Sequence, residues 1–392
     1  MKFPEPPAIP GHRINPQLEE VLRGQVHNRL GLKGSYPRFP GSQPVSFGRQ
    51  GIQALEEQDY WVCEKTDGLR VLLLSVYAAE AGQLSTFLVD RNNSYYQVET
   101  VYFPQPGHIP ADRRFGANMI DGELVTDLDP QTGRPILRYY AFDALLIWGD
   151  SVLEKPLTKR YGALQQDLLD WVRRWRRTPE SAAMRAREPF EVVCKPMQRS
   201  YGLGIVLEES LDPARQKHKS DGLIFSRANA PYKIGSTRDM LKWKPADENS
   251  VDFRLHVYNV GGEGGPGEGG SEEGGRGSGE MEGDLVGALN IWIKDDDHQP
   301  WGILENTPTL VQEWTEAGVP YEGRIVEASY LADNRWAFMR FRDDKEKANH
   351  ITVAQSVKES IEDNITEDTL KGNVQKIRGA WKDREANASS QP

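Results

Sequence analysis

The chain has 392 residues, 38% of them hydrophobic and 27% charged, enough for two or three domains with real cores. Ten Trp and fourteen Tyr argue against disorder, and no apolar run suits a bilayer span or a secretory signal. The net charge of -10 disfavours a protein that coats long duplexes, yet allows chemistry on one nucleic-acid end at a local basic pocket.

Strand-like segments rich in Val, Ile, Leu and Tyr come first, at 60–64, 69–77, 86–90, 95–99, 118–125 and 139–147. Cys63 and Cys194 sit in apolar runs, and two cysteines so far apart predict buried free thiols in a reducing compartment. One helical pattern runs over 159–177, with Leu164, Leu168, Leu169, Val172 and Trp175 at helical spacing. Its basic run (Arg173, Arg174, Arg176, Arg177, then Arg185 and Arg187) predicts a solvated helix face, with a docking patch as the alternative. Further strands are expected at 190–194, 222–226 and 240–243. Strands that do not alternate regularly with helices predict an α+β fold of antiparallel sheets.

A polar turn at 244–249 divides the chain into a first domain, 1–245, and a second, 246–392. Residues 261–283 are glycine and glutamate with almost nothing apolar, so they cannot offset their own ordering entropy. A disordered insertion in a hairpin is expected there. Strands at 251–260, 284–293, 323–331 and 335–342 suit a small barrel, and helices near 353–362 and 368–382 are assigned to the same domain.

The sharpest chemical signal is Glu64-Lys65-Thr66-Asp67-Gly68-Leu69-Arg70, a lysine between two strands with a tight turn just after it. A lysine that is desolvated or surrounded by cations loses its proton more readily and becomes a nucleophile. Asp121-Gly122-Glu123 and Asp221-Gly222 each place carboxylates at the start of an apolar strand, suited to a hard cation or a ribose hydroxyl. Lys242 and Lys244 share one face of a strand, a costly pairing unless an anion such as phosphate lies between them. Arg340, Arg342, Asp343, Asp344 and Lys345 form a charged strand end. Taken singly, each of these patterns also fits an ordinary turn or a solvated edge.

Together, and in this order, they resemble the covalent nucleotidyltransferase superfamily of ATP-dependent ligases and capping guanylyltransferases. The details resemble the fungal-type mRNA capping guanylyltransferases. The blocks are Lys65-Thr66-Asp67-Gly68-x-Arg70, Phe87 to Arg91, Asp121 to Val125, Tyr140 to Leu145, Asp221 to Phe225, Leu241 to Pro245 and Arg342 to Lys345. The resemblance implies a nucleotidyltransferase domain followed by an OB-type barrel. It makes Lys65 the nucleophile that takes GMP from GTP and passes it to a 5′-diphosphate RNA end. It assigns Arg70, Arg91 and Glu123 to the ribose, Phe142 and Lys195 to the guanine, and Lys242 and Lys244 to the α-phosphate. Asp221 falls to a catalytic Mg²⁺ or Mn²⁺, and Arg342, Asp344 and Lys345 to the leaving pyrophosphate. A separate RNA 5′-triphosphatase, the phosphorylated tail of RNA polymerase II and a nuclear location follow from the same resemblance. An ATP-dependent polynucleotide ligase and an inactive RNA- or polymerase-binding scaffold are the alternatives.

Overall fold

The structure is a computed structural model describing residues 3–34, 39–78, 83–99, 101, 103–104, 117–210, 212, 215–245, 248–260 and 284–389. It divides into two compact units, Met1–Lys244 with Glu367–Pro392, and Pro245–Thr366.

Unit 1 begins with β1 (His12–Arg13), α1 (Pro16–Arg29), β2 (Ser42–Ser46) and α2 (Arg49–Glu57). The strands β3 (Tyr60–Thr66), β4 (Leu69–Ala78), β5 (Gln83–Val89), β6 (Tyr95–Val98), β7 (Asn118–Leu128), β8 (Pro135–Ile147) and β9 (Asp150–Ser151) follow. Next come α3 (Leu157–Gly162), a π-helical turn at Ala163–Leu169, α4 (Asp170–Trp175) and α5 (Ala182–Arg185). Then come β10 (Glu191–Cys194), β11 (Gln198–Arg199), α6 (Leu203–Ser210), β12 (Ser220–Arg227) and β13 (Gly235–Trp243).

These strands form two sheets. One has the order β1-β6-β5-β4-β7-β8-β10, with β9 on β8; the other is β11-β3-β12-β13-β2. Val71, Leu72, Leu73 and Leu74 of β4 are all fully buried, because the larger sheet is covered on both faces. Val71 and Leu73 join Leu164, Leu168 and Val172 in one core cluster, while Leu72 and Leu74 join Leu22 and Val26 of α1 in another. A strand covered on both sides reads as a continuous apolar run.

Unit 2 contains β14 (Ser250–Val260), β15 (Asp284–Lys294), β16 (Asp297–Leu304), α7 (Thr307–Glu316), β17 (Ile325–Ala332), β18 (Arg335–Phe341) and α8 (Ile351–Asp363). Its strands close in the order β14-β15-β16-β18-β17, a five-stranded barrel where the OB-type barrel was expected. The barrel fills with Phe253, Leu255, Leu289, Ile291, Val326 and Trp336, all but fully buried. β14 and β15 pair as a hairpin that ends at Val260 opposite Asp284; the glycine-rich insertion between them lies outside the described residues.

The structure differs from the sequence reading in its sheets and two of its helices, and it adds α1, α2, α7 and the barrel strand β16, which the sequence reading lacks. The sheets are mixed, since β8–β10, β2–β13 and β16–β18 pair parallel. The expected single helix over 159–177 contains the π-helical turn and ends at Trp175. The last helix, α9 (Glu367–Ser389), belongs to unit 1 and not to the barrel domain. Trp381 meets Tyr201 edge-on, Arg384 pairs with Asp59, and Lys376 pairs with Glu56. These contacts return the chain's end to α2 and β3, which no local pattern announces.

Candidate active site

β3 carries Lys65 one residue from its end and runs antiparallel to β12. Their register slips between Ser220 and Leu223, at Gly222, whose φ of +148° is open only to glycine. A Cβ there would stand 2.0 Å from the Trp243 carbonyl oxygen. This bulge sets Asp221 beside the lysine, and Lys65 Nζ donates to Asp221 Oδ1 at 2.7 Å. Lys244 Nζ lies 2.6 Å from the other oxygen, Oδ2. Burial works to raise the Asp221 carboxyl, but Lys65 and Lys244 hold it below the usual carboxylate range.

Lys242, on β13 opposite Ile224, completes the group. Burial first, then repulsion from Lys65, Lys244 and Arg91, pushes its ammonium down to about 8. Three lysines around one carboxylate leave two positive charges in excess, in a chain whose net charge is -10. That is an anion site by Coulomb's law, with its charges already partly desolvated.

A second group sits on β7 and beside β10. Lys195 is buried, its Nζ donating to Thr66 Oγ1 at 2.8 Å and lying 3.7 Å from Glu123 Oε2, while the Thr66 hydroxyl donates to the same carboxylate. Burial would lower the Lys195 pKa, but Glu123 together with Cys63, Glu64 and Asp221 raises it. Both cysteines are free as expected; Cys63 is buried, whereas Cys194, at the end of β10, is only half-buried.

Arg70 on β4 stands opposite Glu123 in the β4–β7 ladder and forks onto Asp121, Nε to Oδ1 at 3.0 Å and NH2 to Oδ2 at 2.6 Å. Its guanidinium carbon lies 5.6 Å from the Phe142 ring centroid and 5.7 Å from that of Phe39. Lys65, Arg70, Glu123, Phe142, Lys195, Asp221, Lys242 and Lys244 therefore all belong to unit 1, and Arg91 is near enough to Lys242 to repel it. A cavity of about 310 Å³, lined by Glu64, Tyr140, Val206, Lys217 and His218 among others, includes none of these eight.

Arg342, Asp344 and Lys345 form a separate cluster in unit 2. Arg342 donates to both Asp344 oxygens at 2.8 Å and to Asp252 at 2.8 Å, and Lys345 also pairs with Asp252. The Arg342 hydrogen bonds hold the Asp344 carboxyl down near 2. The distal pair Arg340–Glu327 is the surface ladder that a charged strand end suggests.

Among the described residues no group of three His, Cys, Asp or Glu side chains could cage a metal. Asp221, an ionised carboxylate whose oxygens face Lys65 and Lys244, has the hard oxygen donors that magnesium takes, one or two carboxylates with water and substrate oxygens completing its shell.

The catalytic-domain profile of the mRNA capping enzymes matches residues 4–246, and the family's C-terminal-domain profile matches residues 248–371. The chain belongs to the mRNA capping enzyme family. Among curated relatives, the mRNA-capping enzyme subunit alpha of Candida glabrata is 35% identical, over 97% of this chain and 90% of its own. That of Neurospora crassa is 35% identical over 96% and 94%, and that of Schizosaccharomyces pombe 32% over 96% and 89%. The fungal character read from the motifs agrees with these relatives. A solved mycobacterial DNA ligase D complexed with ATP and MES overlaps 79% of this chain and 95% of its own, at 15% identity and a TM-score of 0.36.

Sequence reasoning missed two buried side chains that hydrogen-bond beside these residues. His218 places Nδ1 2.7 Å from Asp127 and Nε2 3.1 Å from Glu64, and Tyr232 donates to Asp121 at 2.6 Å. The only signal for His218 was its position three residues before Asp221. Tyr232 follows a proline and gave none.

Proposed function

We propose that this capping enzyme acts as a GTP:RNA guanylyltransferase with Lys65 as its covalent nucleophile. In the first step Lys65 Nζ, having lost a proton, attacks the α-phosphorus of GTP. A nitrogen–phosphorus bond forms, the α–β phosphoanhydride bond breaks, and pyrophosphate leaves. In the second, the terminal phosphate oxygen of a 5′-diphosphate RNA attacks the same phosphorus. The nitrogen–phosphorus bond breaks and the lysine regains its proton.

Asp221, accepting from Nζ, fixes the direction of the amine, which matters because in-line geometry carries much of phosphoryl transfer. Lys242 and Lys244 neutralise the charge of the α-phosphate as it transfers. Glu123 accepts from the ribose, with Arg70 and Arg91 beside it, and Phe142 stacks on the guanine. Lys195 is assigned to the guanine, although it is buried with its Nζ donating to Thr66 Oγ1. Arg342, Asp344 and Lys345 serve the pyrophosphate. A divalent Mg²⁺ or Mn²⁺ held through Asp221 would supply further charge neutralisation at the phosphates. A separate RNA 5′-triphosphatase subunit, in keeping with the name "subunit alpha" of the relatives, the phosphorylated tail of RNA polymerase II and a nuclear location belong to the same reading.

The observation that carries the nucleophile assignment is the Lys65 ammonium held against Asp221 within a lysine-rich anion site. Incubation with α-labelled GTP and a divalent metal should leave label on the denatured chain. Lys65→Arg should abolish it, because a guanidinium stays protonated. Label from ATP instead of GTP would indicate a ligase, and no label from either an inactive scaffold.

A further inference from the structure

We infer that Asp121 and Tyr232 are positioning residues for the nucleotide, holding the Arg70 guanidinium in place beside Phe142 without themselves touching substrate. The inference rests on the reading above, in which Arg70 and Phe142 meet the ribose and the base.

A guanidinium is a planar fork, and a carboxylate that takes two of its N–H groups fixes both its position and its plane. Arg70 gives Nε and NH2 to Asp121, so the orientation of the remaining N–H groups is set by that carboxylate. Asp121 is only 1% exposed, and no water can replace a lost partner at such depth. Its Oδ2 also accepts from the Tyr232 hydroxyl at 2.6 Å. That hydroxyl in turn accepts from the backbone N–H of Ser42 at 3.0 Å.

The chain of contacts therefore crosses from β2 of the smaller sheet, through Tyr232, to β7 of the larger sheet and on to Arg70 of β4. The Tyr232 ring is fixed as well. Arg160 stacks over it at 5.5 Å and is itself forked onto Asp143, with both distances 2.8 Å. Burial first, and then Asp121, raises the Tyr232 phenol far above its ordinary range, so it remains a donor. Every member of the set thus has a defined partner, as a preorganised site requires.

Tyr232→Phe removes one oxygen and leaves the ring under Arg160. The GTP concentration that half-saturates adduct formation should rise roughly tenfold, the size of a hydrogen bond to a charged group. Asp121→Asn, which keeps an acceptor for Tyr232 but weakens the fork, should shift it in the same direction. The deciding measurement is a double-mutant cycle. In an Arg70→Ala background, Tyr232→Phe should have no further effect on GTP half-saturation, because it acts through that arginine. Independent, multiplying effects of the two changes would overturn the inference. So would unchanged GTP dependence in a Tyr232→Phe protein that melts like the parent. Failure of the parent chain itself to label with GTP would instead overturn the guanylyltransferase reading.

Discussion

Replacing Lys242 with methionine should make the fold more stable at neutral pH while disabling the enzyme. Lys242 is held at about 8 against an ordinary 10.5, by burial and then by Lys65, Lys244 and Arg91. A lysine with a lowered folded pKa binds its proton more weakly in the native state than in the unfolded one. Its charge therefore costs stability in full below pH 8, and the cost fades as pH rises from 8 to 10.5. The difference between about 8 and 10.5 is worth roughly 3 kcal/mol at pH 7. Methionine has nearly the same length and no charge, so Lys242→Met should recover much of that.

Denaturant midpoints at pH 7 and pH 10.5 are the assay. The variant should exceed the parent at pH 7 and match it at pH 10.5. GTP binding supplies the missing test of purpose: phosphate charge should restore the Lys242 proton, so binding at pH 8.5 should take up protons in the parent and fewer in the variant. Calorimetry in two buffers of different ionisation enthalpy reads this directly. A variant no more stable than the parent at pH 7, or a stability gap that does not change with pH, would refute the reasoning.

His218 should behave in the opposite sense. Burial would lower its pKa, but the hydrogen bonds to Asp127 and Glu64 push it up to about 9 from 6.5, so its contribution is full below pH 6.5 and lost as pH rises through 9. His218→Gln should cost on the order of 3 kcal/mol at pH 6 and little at pH 9.5 by denaturant midpoint, and a pH-independent loss would count against it. Arg342→Ala and Lys345→Ala should impair adduct formation from GTP far more than transfer from preformed adduct, because pyrophosphate is present only in the first step. Rapid-quench measurement of the two steps separates this from simple damage to the Asp252 cluster, which would slow both equally.

How much of this was legible in sequence depends on how local each signal is. Lys65 was legible as a candidate because its motif is contiguous and its turn is written in Asp67-Gly68. Asp221, Lys242 and Lys244 were legible as candidates because each lies in or beside a short apolar strand. Their convergence on one point was not visible, since it depends on the register slip at Gly222. Tyr232 was invisible because its partners, Ser42 and Asp121, are 190 and 111 residues away. The N-terminal helices were missed for a different reason. α1 has Asn15 accepting from Leu18 N and Pro16 in its first turn, signals of a helix start that went unread because its sequence is mostly polar. α9 was assigned to the barrel because it follows the barrel in sequence. Its contacts with Tyr201, Asp59 and Glu56 show where it belongs.

The two buried contacts that the sequence hid share one geometry. Tyr232 ties Ser42 of β2 to Asp121 of β7; His218 ties Glu64 of β3 to Asp127 of the same β7. Each joins the smaller sheet to the larger one, and the β7 carboxylates they hold lie on either side of Glu123. Neighbouring backbone bonds reinforce the second tie, with Leu128 N donating to Lys217 O at 2.7 Å and Asp67 N to Lys219 O at 2.9 Å. Lys65 of β3 and Lys242 of β13 stand on the smaller sheet, on either side of β12, where like charges are held together at a cost in stability. Arg91, which follows β5 of the larger sheet, adds repulsion on Lys242 that a parting of the two sheets would relieve. The two fully partnered ties to β7 oppose that parting, so the repulsion between Arg91 and Lys242 is retained in the folded chain.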